Sequence, residues 1–204
     1  QLITKIEIRN TDILDRPLAI VPVPLHWTRR FTRGYNQSEI IALDKHPQRV
    51  ELIQQGAARL GCTNIRALAH DLTEPPAFLE EQDFDRVLLD APCSGLGVLR
   101  RNPESRWNKS AVNVRELAVL QQEILFNVAP FVKPGGKLLY SVCSFALLET
   151  DEIVNDFLEA HPQFVLEDLR EQAAPEWSEL FTERGTLRSY PHHHAGMDAF
   201  FAAR

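Results

Sequence analysis

The chain has 204 residues, 44% of them hydrophobic, and a net charge of −6 at pH 7, a composition typical of a globular domain with its own core. No run approaches the ~18 consecutive apolar residues of a membrane helix, and residues 1–10 lack the apolar core of a signal peptide. We therefore expect a cytoplasmic protein with no membrane partner. Three widely spaced cysteines, Cys62, Cys93 and Cys143, predict neither a disulfide framework nor a zinc site.

The N-terminal residues carry a strand signal and a basic, aromatic loop. Residues 17–24 (PLAIVPVP) predict a short strand closed by prolines, and a helix start is expected at Asn36 or Ser38. Residues 21–42 (VPVPLHWTRRFTRGYNQSEIIA) resemble the PVPL…RGFNQ signature of ComF-like phosphoribosyltransferases. That family's phosphate-binding loop does not follow downstream, where a helix N-terminus would cradle the phosphates. Phosphoribosyl transfer is therefore kept as the alternative function.

From Ile41 onward, strand patterns alternate with helix patterns. Such alternation predicts an α/β fold with a doubly wound, mostly parallel sheet. Strands are expected over 41–44, 64–71, 85–90, 137–143 and about 197–203, and helices over 47–60, 114–128 and 151–160.

The sequence indicates where two of the predicted helices begin or end. Gly61 is placed to end the helix over 47–60. Thr150 is placed to cap the helix over 151–160. The apolar positions of the first of these helices share one face: Val50, Ile53, Ala57 and Leu60.

Polar side chains stand at the ends of four predicted strands. Asp44 and Asp71 end two strands, Asp90 and then Cys93 follow a third, and Cys143 ends a fourth. In open α/β sheets, ligands bind at the carboxyl ends of the strands. Successive strand-end acids are typical of sites that hold a nucleoside cofactor, although an acid in this position also often caps the next helix.

Two strand-end cysteines indicate covalent chemistry at carbon. A thiolate can add reversibly to C6 of a pyrimidine, which makes C5 nucleophilic enough to accept a methyl group from a sulfonium donor. A second cysteine could assist release of the first. The alternative is that both cysteines only fill the core, where free cysteine is often found.

Two motifs resemble those of a known family. Residues 90–107 (DAPCSGLGVLRRNPESRW) and 133–144 (KPGGKLLYSVCS) look like motifs IV and VI of the RsmB/Sun-type RNA cytosine-C5 methyltransferases. The resemblance implies a Rossmann-like, S-adenosyl-L-methionine-dependent methyltransferase fold and RNA, most simply 16S rRNA, as the partner of a monomer.

The same resemblance assigns roles to single residues. It implies that Cys143 attacks C6, that Cys93 promotes product release, and that Asp90 contacts both cofactor and base. Asp44 and Asp71 match the cofactor-binding acids. The residues that it implies for RNA contact are Arg100, Arg101, Trp107 and His192.

The sequence departs from this family near its beginning. The glycine-rich cofactor motif expected upstream of Asp44 is absent, and the ComF-like segment stands in its place. We therefore expect an atypical or truncated N-terminal part: a segment over 1–42, with Pro22–Pro24 as a replacement first strand, and a catalytic domain over 43–204. The non-enzyme alternative is an inactive RNA-binding remnant. The tract His192–His194 is expected in a surface or RNA-proximal loop.

Overall fold

The computed structural model describes residues 18–20, as backbone, and residues 40–204. The predicted helix start at Asn36 or Ser38 and most of the ComF-like segment lie outside the described residues. Within the described part, no helix is both long enough and apolar enough to cross a membrane.

The described residues build one seven-stranded sheet with helices packed against it. The strands lie in the spatial order β3-β2-β1-β4-β5-β7-β6. The strands are β1 Leu18–Ile20, β2 Ile40–Asp44, β3 Ile65–Ala69, β4 Phe84–Asp90, β5 Val132–Val142, β6 Leu187–Ser189 and β7 Phe200–Ala203. The α-helices of this part are α1 Pro47–Arg59, α2 Ala111–Val128 and α3 Asp151–Ala160.

The prediction of a mostly parallel sheet is confirmed. β2 pairs in parallel with β3, and β4 with β5. β1 is antiparallel to both β2 and β4, and β7 is antiparallel to β5 and β6. Five strands, β2 to β6, therefore run in one direction, and β1 and β7 run in the other.

The first strand occupies the centre of the sheet. β1 joins β2 to β4, pairing Leu18 with Leu43 and Ala19 with Leu88. It falls within the predicted strand segment 17–24, upstream of Pro22, and the residues Pro22–Pro24 lie outside the described ones. The division at residue 42 stays a prediction.

Helix α1 ends as expected, but one residue of its predicted apolar face is exposed. The N–H groups of Gly61 and Cys62 donate to the carbonyls of Ala58 and Ala57, and Gly61 has a φ of +68°, which together form a Schellman end. Leu60, which the helical spacing assigns to the apolar face, is 52% exposed. Leu60 is the C-cap, already past the last helical residue, so its side chain leaves the apolar face.

The cap predicted for α3 is also different in the structure. The bounds Asp151–Ala160 match the prediction, and Thr150 is at the N-cap. Its hydroxyl, however, makes no cap hydrogen bond, because it donates to the carbonyl of Ala146 at 3.0 Å. By contrast, the hydroxyl of Ser110 accepts from the N–H of Asn113 and so starts α2 three residues earlier than predicted.

Strand β5 begins at Val132 and so includes Lys133–Gly136, ahead of the start predicted at residue 137. The pairing with β4 passes from Phe84–Val132 to Arg86–Lys137, so the extra residues form a bulge within the strand. Gly135 has a φ of +75° there, a conformation that favours glycine. Beyond this bulge, β4 and β5 stay in register as far as Asp90 and Ser141.

Candidate active site

The ends of β4 and β5 bring the two predicted catalytic cysteines together. Asp90 lies opposite Ser141 at the end of the paired region, so Cys93 and Cys143 follow neighbouring strand ends. Their Sγ atoms are 3.3 Å apart, and both thiols are buried. Their roles as releasing group and nucleophile stay predictions, but the placement that both roles require is present.

The two thiols affect each other's ionisation. The hydrogen bond to Cys143, together with burial, raises the pKa of the Cys93 thiol well above its ordinary value. Either sulfur can be the donor of the hydrogen bond between them. Because the thiolate is the reactive form of cysteine, this contact suits a pair in which one sulfur reacts and the other donates a proton or a hydrogen bond.

A buried carboxylate that the sequence analysis missed joins the two cysteine loops. Glu149 is 0% exposed. It accepts the N–H of Ser94 at 2.7 Å and the hydroxyls of Ser94 and Ser144 at 2.5 Å each. Because Ser94 follows Cys93 and Ser144 follows Cys143, one carboxylate holds both loops.

Helix α2 and strand β5 complete this network. Gln121, also fully buried, donates from its Nε2 to Glu149 at 3.1 Å and to the carbonyl of Pro92 at 2.8 Å. The hydroxyl of Tyr140 lies 3.0 Å from Gln121 Oε1 and 2.8 Å from the Glu149 carbonyl. Burial raises the pKa of Tyr140 well above its ordinary value, with a smaller contribution from Cys93 and Glu149. A polar residue on the apolar face of α2 was the sequence signal that could have revealed Gln121.

Gly97 provides a backbone link between the two cysteine loops. Its N–H donates to the carbonyl of Cys143 at 2.9 Å, and its carbonyl accepts from the N–H of Ala199 at 2.9 Å. A Cβ at this position would lie 2.0 Å from the oxygen of Ala199 and 2.8 Å from that of Cys143. Only glycine allows this close approach of three backbone segments.

The three predicted cofactor acids, Asp44, Asp71 and Asp90, line one cleft at the carboxyl edge of the sheet. Asp44 is buried; its Oδ1 accepts from the N–H of His46 at 2.8 Å, whereas its Oδ2 has no hydrogen-bond partner among the residues that the structure describes. Arg49 approaches that Oδ2 only to 3.9 Å. A buried acceptor without a donor at the edge of a cleft suits a ligand that carries hydroxyl groups.

The other two acids have partners within the protein. Asp71 is exposed and accepts the N–H and the hydroxyl of Thr73 at 3.0 Å each, and the backbone hydrogen bond lowers the pKa of its carboxyl. Asp71 lies two residues beyond the end of β3, not at its last residue as predicted. Asp90 accepts the hydroxyl of Ser141 at 3.3 Å.

The predicted RNA-facing residues are exposed, and two of them share an acidic partner. Arg101 donates from its Nε to Asp198 at 2.6 Å, and Arg100 approaches the same carboxylate at 3.8 Å. Trp107 is 75% exposed, with the guanidinium of Arg106 4.2 Å from the centre of its ring. The sequence analysis missed Asp198, since nothing in the sequence links it to arginines about a hundred residues earlier.

The histidine tract has mixed roles. His192 is exposed and lies against the ring of His193, at 4.1 Å between centroids. His194 instead accepts from the N–H of Tyr190 at 2.8 Å and lies 3.1 Å from the carbonyl of Glu179. Within residues 18–20 and 40–204, no group of three or more His, Cys, Asp and Glu residues could hold a metal ion.

Comparison with the sequences of known proteins identifies the family of the chain. Residues 32–204 match the sequence model of the family "16S rRNA methyltransferase RsmB/F". The chain belongs to this family. The chain is 40% identical over 166 residues, 81% of its length, to the "Probable ribosomal RNA small subunit methyltransferase B" of Bacillus subtilis. It is 38% identical over 168 residues to the protein of the same name in Synechocystis.

Solved structures extend the RsmB/F assignment to the fold. The crystal structure of PH0851 superposes on 81% of the chain with a TM-score of 0.73 at 35% identity. NSun6 from Pyrococcus horikoshii, solved with SFG, superposes on 81% with a TM-score of 0.66 at 26% identity. The predicted Rossmann-like methyltransferase fold is therefore confirmed.

The chain spans just over a third of the length of these RsmB/F relatives, 37% of each of the two bacterial proteins and 36% of PH0851. The family match begins at residue 32, ahead of residue 43, where the sequence analysis expects the catalytic domain to begin. None of these findings supports the phosphoribosyltransferase alternative.

Proposed function

We propose that the chain is the catalytic part of an RNA cytosine-C5 methyltransferase that acts on 16S rRNA. The observation that carries the proposal is the pair of buried thiols, 3.3 Å apart, at the ends of two adjacent parallel strands. The pair lies beyond Asp90, which also lines the acidic cleft. The names of the two bacterial relatives support ribosomal RNA as the substrate.

The two thiols account for the bonds made and broken at C6. Cys143 loses its proton to solvent and its sulfur adds to C6 of cytosine, so the electron pair of the C5–C6 double bond moves to C5, where the methyl group is accepted. Asp90, which lines the cleft, is suited to hydrogen-bond the cytosine. A solvent water then takes the C5 proton, the electron pair of the C5–H bond restores the C5–C6 double bond, and the C6–S bond breaks so that Cys143 leaves as a thiolate. The S–H of Cys93 stabilises that departing thiolate by donating to it.

The residues present in the cleft fit S-adenosyl-L-methionine, which supplies the methyl group when bound. The unpartnered Oδ2 of Asp44 is suited to accept the ribose hydroxyls. Asp71, two residues beyond the end of β3, is suited to the adenine edge. NSun6 was solved with SFG, an analogue of this cofactor, which supports the assignment of the cleft.

The exposed basic and aromatic side chains beyond β4 supply the RNA contact. Arg100 and Arg101 are suited to phosphate, and Trp107 and His192 offer rings on which unpaired bases can stack. The target cytosine would have to leave its helix to reach the buried sulfurs.

We place this reaction in the cytoplasm. Two neighbouring thiols must stay reduced to act in turn, and cytosolic proteins keep their cysteines reduced. We also propose that the chain acts as a monomer, because both cysteines and all three cleft acids come from one chain.

A second candidate is an inactive RNA-binding remnant. The observation that favours it is the absence from this sequence of the family's glycine-rich cofactor motif upstream of Asp44. The two candidates differ in cofactor binding, since only the enzyme needs S-adenosylmethionine.

Calorimetric titration of the purified chain with S-adenosylmethionine, followed by transfer of labelled methyl groups to 16S rRNA, tests the proposal. We expect saturable binding that Asp44→Ala abolishes, and methyl transfer that Cys143→Ala abolishes while Cys62→Ala preserves it. Cys62 lies at the end of α1 and is the matched control. Absence of binding at millimolar cofactor would leave the remnant as the answer.

A further inference from the structure

The cysteine loops share a cluster of buried polar groups that the reaction scheme does not use. We call Glu149, Ser94, Ser144 and Gln121 the Glu149 clamp. All four are at most 1% exposed. The clamp joins the loop after β4, the loop after β5 and the middle of α2 through one carboxylate.

Stability alone does not account for this arrangement. A buried carboxylate costs several kcal/mol in lost hydration. Among the partners of Glu149 within residues 40–204, four neutral donor groups face its two oxygens: the N–H of Ser94, the hydroxyls of Ser94 and Ser144, and the amide of Gln121. An ionised carboxylate has about four acceptor sites, so these donors fill it. An apolar side chain would serve a core equally well, but it could not hold two loops by hydrogen bonds.

The geometry points to Glu149 as a positioning residue that sets the separation of the Cys93 and Cys143 sulfurs. Each serine directly follows one cysteine. A movement of either serine hydroxyl relative to the Glu149 carboxylate therefore moves the sulfur of the adjoining cysteine. The inference deepens the proposed function and rests on it for the catalytic consequence. Within the described residues, Glu149 lies outside the set that lines the acidic cleft, so its effect should fall on chemistry and not on cofactor binding.

The sulfur separation can be measured without methyl transfer. Equilibration of the full chain with glutathione converts the two thiols and one glutathione disulfide into a Cys93–Cys143 disulfide and two reduced glutathiones. The equilibrium constant measures how well the fold holds the sulfurs together. The variants are made in a Cys62→Ala background, so that mass spectrometry after alkylation reports on the one remaining pair.

We expect Glu149→Gln to lower this equilibrium constant about tenfold, or roughly 30 mV for a two-electron couple. The amide of the new glutamine replaces one acceptor oxygen by an NH2 donor, so it cannot accept hydrogen bonds from all four donor groups. Ser144→Ala, which removes one contact, should lower it about threefold. Glu152→Gln, the same change at an exposed position in the first turn of α3, should leave it within twofold.

A second measurement separates this inference from the proposed function. With methyl transfer as the readout, Glu149→Gln should lower kcat and leave the KM for S-adenosylmethionine unchanged. If no form of the chain methylates RNA, the proposed function fails and the glutathione equilibrium still tests the clamp. A folded Glu149→Gln variant with an unchanged equilibrium constant would overturn the inference. If circular dichroism shows that this variant does not fold, the double variant Ser94→Ala, Ser144→Ala decides by the same criterion.

Discussion

The backbone N–H of Gly97 donates to the carbonyl of Cys143 at 2.9 Å, so the loop after β4 is hydrogen-bonded to the residue that we propose as the nucleophile. Ala199, just before β7, donates in turn to the carbonyl of Gly97. Three segments distant in sequence therefore meet at a residue without a side chain. The position of Cys143 depends on this meeting as well as on its own strand.

A methyl group at residue 97 should be strongly destabilising. Gly97→Ala places Cβ against backbone oxygens that cannot move aside, so we expect a loss of about 2 kcal/mol or more in the free energy of unfolding. Gly56→Ala is the matched control, because a Cβ there meets nothing within 4 Å and should stabilise α1 by about 1 kcal/mol. Urea denaturation measures both. Equal midpoints for Gly97→Ala and the parent chain would contradict the close packing.

Removal of the releasing thiol should trap the reaction part-way. In Cys93→Ala, Cys143 can still add to C6, but its departing thiolate loses the donor 3.3 Å away. We expect a covalent protein–RNA complex on denaturing gels. The complex should be absent from the double variant Cys93→Ala, Cys143→Ala. A complex that persists in the double variant would show that another residue attacks the base.

Loss of one basic side chain beside Asp198 should weaken RNA binding without changing the preferred sequence. Arg101→Gln removes a charge suited to phosphate, so we expect weaker binding and a salt-dependence slope reduced by about 1. Arg59→Gln, at the last residue of α1 and outside the loops that carry Cys93 and Cys143, makes the same charge change. Filter binding at several salt concentrations distinguishes them. Equal slopes for the two variants would show that Arg101 does not contact RNA.

The carboxyl of Glu167 should make stability depend on pH. Its hydrogen bonds with Lys137 and Arg204 lower its pKa below the ordinary 4.5, so the folded state favours the ionised form. Its contribution is present above pH 4.5 and is lost as pH falls through the folded-state pKa. Glu167→Gln should therefore lower stability at pH 7, by less than about 1 kcal/mol since the pair is partly exposed. The deficit should shrink below pH 4.5.

Chemical denaturation of this variant at pH 7 and at pH 3 tests the prediction. Glu159→Gln, on the exposed side of α3, serves as the control and should show no such dependence. A deficit for Glu167→Gln that stays constant between the two pH values would mean that packing, not charge, accounts for it.

The sequence predicted the strand ends well because they have short-range signals. The apolar run before Asp90 and the run before Cys143 each end at a polar residue, and the structure places both ends side by side. Alternation of strands and helices was enough for the α/β class. The assignment of roles to the cysteines, in contrast, came from resemblance to a family and still awaits experiment.

What the sequence could not predict depends on contacts between distant residues. Glu149 reaches Ser94 across 55 positions, and Asp198 reaches Arg101 across nearly a hundred. A lone acid before a helix is usually interpreted as a favourable first-turn charge, which hides a buried role. Leu60 and Thr150 were misassigned for a related reason: both stand at helix ends, where one residue decides whether a side chain follows the helix.

The three-residue strand β1 affects the spacing between the proposed cofactor site and the two cysteines. Within the sheet, it lies between β2, which carries Asp44, and β4, which leads to Cys93. Because adjacent strands are spaced by about 4.8 Å, β2 and β4 are held about 10 Å apart by this one strand. In the proposed reaction, the distance between the methyl donor and the cytosine is thus set partly by a strand that carries none of the proposed site residues. A change in Leu18–Ile20 could slow catalysis while every residue of the site stays intact.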